Sequence, residues 1–113
     1  MRNKDTRLIW EAFGRGNAFR VDRGDLPPNP NDSEFANWIA GKAMGFEDGG
    51  MDDQTRADFH SEIEEHIDDV DPVKVAEHLK WMSSFQQRDS YGIPNNEFVI
   101  DEIEKAIEWI SQF

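Results

Sequence analysis

Apolar residues recur at helical spacing along most of this chain, most plainly toward its C-terminal end. Val99, Ile100, Ile103, Ala106, Ile107 and Ile110 form one stripe, backed by Asp101, Glu102, Glu104 and Glu108, and predict an amphipathic helix with its carboxylates in solvent. Val75, Leu79, Met82 and Phe85, with Trp81 beside them, predict another helix running to about Gln87. In residues 52 to 71 the apolar positions Phe59, Ile63, Ile67 and Val70 keep the same spacing, while nearly everything between them is acidic. Phe35, Trp38, Ile39 and Ala43 mark a further helix, and Leu8, Ile9, Ala12 and Phe13 a short first one.

The residues between these stripes are stop and start signals. Gly14 and Gly16 end the first helix, and the segment from Asn17 to Pro30 reads as loop, closed by the extended backbone that LPPNP at 26–30 imposes. Asn31 and Glu34 have the spacing of a capping box, and Gly45 is placed to end that helix as a C′ glycine, with Phe46 folding back. Pro72 forces the acidic helix to end by Asp71, because the residue before a proline avoids helical dihedrals. Asp71 then caps the next helix, with Pro72 at its first position and Val70 and Val75 spaced as a hydrophobic staple. RDSYGIPNN at 88–96 reads as a polar loop. The expected fold is all-α, a compact bundle of four to five helices with an irregular loop near residues 14–31.

A chain of 113 residues fits one domain, residues 1–113, and excludes a multi-domain machine. Its formal net charge of −12 disfavours nucleic acid or an anionic membrane as a direct partner and favours a basic one. The charge is unevenly placed: residues 1–46 sum to +1 and residues 47–113 to −13. With no cysteine, disulfides and thiolate-bound zinc are excluded. Neither a signal peptide nor a bilayer-spanning run is evident, so a cytoplasmic protein is expected.

Candidate chemistry is sparse. His60, Glu62, Glu64 and His66 share one helix, yet their spacing matches no established metal grammar, and His78 is the one remaining imidazole, so no metal or cofactor is expected. Counting a calcium loop from Asp48 puts Asp53 at the glycine position and Phe59 at the bidentate glutamate position, which rules that loop out. Arg23-Gly24-Asp25 reads as a turn, and Arg15, Arg20 and Arg23 as a small basic loop. Trp10, Trp38, Trp81 and Trp109 fall one to each of four expected helices; Trp81 and Trp109 sit at stripe edges, where a partner could be anchored. No nucleophile triad, phosphate loop or catalytic carboxylate pair is present, and enzymatic activity is not expected.

The acidic stretch carries the functional expectation. Nine carboxylates face a single Arg56, and pairs such as Asp58/Glu62 and Glu65/Asp69 set like charges one turn apart, which costs stability. A solvated, aggregation-resistant face accounts for moderate acidity, and halophilic composition would acidify the whole chain, which residues 1–46 do not show. At about 1.5 Å rise, twenty residues span roughly 30 Å, so the carboxylates lie about 3.3 Å apart, close to the ~3.4 Å per phosphate of a DNA strand. The stripe Asp58, Glu62, Glu65 and Asp69 is the most nearly linear part. The opening KDTRLIWEAF resembles the start of many small proteins encoded by tailed phages, over about the first thirteen residues. That resemblance implies kinship with acidic inhibitors that mimic DNA or occupy basic grooves of host nucleases, polymerases or defence complexes, and it carries over no functional residue. The expected binding residues are Asp58, Glu62, Glu64, Glu65, Asp68 and Asp69, facing a basic protein surface. The alternative is a helical adaptor or assembly protein with an apolar interface, its acidity serving solubility.

Overall fold

A computed structural model describes residues 26–49 and 52–113 of the chain. The expected first helix, the loop that follows it, the basic Arg15, Arg20 and Arg23, the Arg-Gly-Asp tripeptide and Trp10 lie outside these residues. The described part is all-α, with four helices in the order α1 (Asp32–Ala43), α2 (Asp53–His66), α3 (Pro72–Met82) and α4 (Glu97–Ile110).

Each helix starts where the sequence offers a side-chain acceptor for otherwise unpaired backbone N–H groups. Asn31 closes the expected capping box on α1: its Oδ1 accepts from Glu34 N at 2.8 Å, and Glu34 Oε1 accepts from Asn31 N at 2.9 Å. Asp52 caps α2, Asp71 caps α3 with Pro72 at its start, and Asn96 caps α4. The Asn96 side chain also donates from Nδ2 to the Glu47 carbonyl at 3.0 Å, tying the start of α4 to the turn after α1.

α1, α3 and α4 pack against one another and enclose most of the core, in which Phe35, Ile39, Val75, Leu79, Met82, Val99, Ile103 and Ile110 are fully buried. α2 leans on α4 and contributes only Phe59 and Ile63 from its own length, with Ile67 following in the next turn. This leaves most of its circumference in solvent.

Five expectations need correction. The acidic stretch is not one helix to Asp71: α2 ends at His66, Ile67–Asp69 form a 3-10 turn, and Val70 is extended at φ −136°, ψ 174°. Aspartates favour caps and turns over helix interiors, and here three of them crowd the approach to a proline. Gly45 is not a left-handed terminator. The chain keeps right-handed dihedrals through a 3-10 turn, Met44–Phe46, which delivers Phe46 to the core at 4% exposure; the first positive-φ glycine after α1 is Gly49, at 71°. The third correction concerns Phe85, which does not extend the α3 stripe. That helix stops at Met82, the Ser83 hydroxyl donates to the Leu79 carbonyl at 2.6 Å, and Phe85 emerges 74% exposed with the Arg88 guanidinium over its ring. Fourth, Glu102 is not on the solvent face of α4 but is only 3% exposed. The 88–96 loop is also less polar than it reads, since Ile93 is buried in the core.

Candidate functional site

The six carboxylates expected to bind a partner divide into two groups. Asp58, Glu64 and Glu65 are exposed on α2, and Asp68 and Asp69 are exposed on the 3-10 turn beyond it. Among the described residues none of these five makes a salt bridge; Asp58 accepts a hydrogen bond from Gln54 Nε2 at 2.9 Å. Glu62 differs. It is partly buried, and its Oε1 lies 3.5 Å from Nζ of Lys42 on α1.

Arg56, expected as the lone cation amid these carboxylates, turns away from them. Its Nε donates to Glu102 Oε1 and Oε2 at 2.8 and 3.0 Å, and its Nη2 donates to Oε2 at 2.6 Å, with Asp53 at 3.2 Å from Nη1. The bonded carboxylate holds the guanidinium further above its ordinary pKa. Lys105 approaches the same carboxylate at 3.7 Å. The one arginine of α2 is thereby spent on docking the helix to α4, which leaves the outer acidic face without it. This pairing spans 46 residues, and no local spacing announces it.

The histidines weighed as metal ligands point into aromatic surroundings. His60 stacks on Trp109 with ring centroids 5.4 Å apart and planes at 20°, while Trp109 Nε1 donates to the His60 carbonyl at 3.1 Å. Its Nε2 is buried without a hydrogen-bond partner, and burial lowers the imidazole pKa. His66 packs against Trp38 in a T-shaped arrangement, with ring centroids 6.4 Å apart. Among the described residues no three histidine or carboxylate groups are placed to hold a metal ion. None of the described helices is long and apolar enough to cross a membrane.

Beside Glu62 lies a half-open cleft of about 330 Å³, walled by residues 26–30 on one side and by Trp38, Lys42, Glu62, His66 and Asp69 on the other. Lys42 Nζ sits 5.7 Å from the centre of the Trp38 ring. Residues 62 and 69 were legible as one stripe, but the cleft that joins them to Trp38 and Lys42 was not.

The fold and this surface define a class, an all-α acidic protein that presents a carboxylate-coated helix. No family model matches the chain, and no curated protein or solved structure matches it either.

Proposed function

We propose that α2 and the 3-10 turn after it bind a basic protein surface, of the kind that holds nucleic acid, and act as an inhibitor or DNA mimic. The observation that carries this reading is the set Asp58, Glu64, Glu65, Asp68 and Asp69: exposed, within twelve residues of chain, and without a salt bridge among the described residues, while Arg56 is committed to Glu102. Uncompensated repulsion along a helix lowers stability, and a cationic partner relieves it on binding. The fourteen residues of α2 span about 21 Å and carry five carboxylates, about one per 4 Å, near the ~3.4 Å phosphate spacing of a DNA strand. The mechanism is occupation of a groove: charge accelerates encounter and makes it salt-sensitive. The phage-like opening segment makes a host nuclease, polymerase or defence complex a sensible class of target.

The test combines capture with displacement. The full chain is immobilised, exposed to bacterial lysate at low and high salt, and challenged with duplex DNA. Retained protein should fall with salt and be released by DNA, and a D58N/E64Q/E65Q/D68N variant should retain little while folding normally. Wild-type retention by that variant would refute the reading.

A second reading is favoured by exposed apolar side chains elsewhere on the protein. Val73, Trp81 and Phe85, on α3 and the turn after it, are 65%, 52% and 74% exposed, as expected of an adaptor with an apolar interface. It predicts salt-insensitive association that is lost in W81A/F85S and unaffected by the acidic substitutions.

A further inference from the structure

We propose that the cleft between residues 26–30 and α2 is an anchor subsite for a single arginine side chain of the partner. This assignment rests on the reading of the acidic face given above and specifies how that face takes hold of its target. A cleft of about 330 Å³ accommodates a side chain of arginine size, and it supplies the three features a guanidinium uses: an aromatic surface, carboxylates and a half-open approach. Trp38, only 5% exposed in the free protein, provides the ring, which lies beneath Lys42, so a guanidinium reaches it by displacing that side chain. Glu62 and Asp69, seven residues apart across the end of α2, both line the cleft, and neither carboxylate is enclosed.

The free protein already shows that the site accepts a cation. Lys42, one helical turn beyond Trp38, lies over the ring at 5.7 Å and reaches Glu62 at 3.5 Å. Its side chain is 41% exposed, so this internal occupant is weakly held and readily displaced. Glu62 is thus the carboxylate with a cation in place, and Asp69 makes no salt bridge among the described residues. A planar guanidinium can stack and present two N–H groups to a carboxylate, which an ammonium cannot; this selects arginine over lysine. His66, whose ring packs at 86° to that of Trp38 with centroids 6.4 Å apart, lines the cleft on the α2 side and serves as a reporter.

The experiment titrates the full chain with Nα-acetyl-arginine amide, its lysine counterpart and its uncharged citrulline isostere, following the Trp38 indole N–H and the His66 ring by NMR. The arginine compound should give saturable shifts at both residues and none at Trp81. K42M, which removes the internal occupant, should tighten binding about three- to tenfold, whereas E62Q and D69N should each weaken it at least about threefold. These substitutions replace exposed or half-exposed groups, and the amide spectrum reports whether each variant is folded. Equal binding of the citrulline or lysine compound, shifts that bypass Trp38, or no gain in K42M would each overturn the assignment. If that happens while lysate capture still depends on Asp58, Glu64, Glu65 and Asp68, the anchor is wrong and the acidic-face reading stands.

Discussion

Replacing Arg56 with methionine should destabilise the fold more than replacing Glu102 with glutamine, although the two residues form one ion pair. The Glu102 side chain is 5% exposed and accepts three hydrogen bonds from Arg56, so R56M strands a buried carboxylate with only Lys105 Nζ, at 3.7 Å, for company. Removing one member of a buried pair costs about 3–5 kcal/mol, and the approach of Lys105 should reduce this to about 2–4 kcal/mol. E102Q keeps the volume and leaves an arginine that is 26% exposed and still 3.2 Å from Asp53, so its cost should be about 1–2 kcal/mol. The double variant R56M/E102M removes both charges and should lie within about 1 kcal/mol of wild type or above it. Urea unfolding followed by far-UV circular dichroism reads the series directly. With a slope of about 1.5 kcal/mol/M, R56M should lower the midpoint by roughly 1.3–2.7 M. If R56M costs less than E102Q, or the double variant costs as much as the sum of the singles, then the pair is not a buried desolvated bridge and the account of how α2 is fixed to α4 fails.

Two further outcomes are expected. Burial lowers the pKa of His60, and of His78; the unfolded chain therefore takes up the proton first as pH falls through about 6.5, and the stability these neutral imidazoles contribute is present above that pH and lost below it, down through the folded-state values. The unfolding midpoint of wild type relative to H60F should rise from about pH 5 to pH 7, and a flat or falling difference would remove His60 as a source of that dependence. At the end of α3, Met82→Ala should cost about 2–5 kcal/mol because the side chain is fully buried, whereas Phe85→Ser should stay within about 0.5 kcal/mol; a large loss at Phe85 by the same urea assay would contradict its exposure.

The sequence by itself determined the four described helices and most of the core between them. Periodicity located α1 through α4, and the capping chemistry of Asn31 and of Asp71 with Pro72 set where two of them begin, because these are local matters of side-chain spacing and of which neighbour can satisfy a free N–H. It also determined that the negative charge concentrates after residue 46, since composition does not depend on folding. Helix ends were less legible. Whether the chain continues past His66, Ala43 or Met82 turned on small differences among nearly equal local conformations, settled by which side chain the core could take: Phe46 was drawn in and Phe85 was not. The tertiary structure alone decided which charges are spent internally. Glu102 reads as a solvent-facing acid until α2 brings Arg56 against it from 46 residues away. Glu62 reads as one member of a uniform stripe until Lys42 and Trp38 on α1 single it out. Long-range pairing leaves no periodic trace in a sequence, because an acid at one position carries no mark of the cation that folding will place beside it.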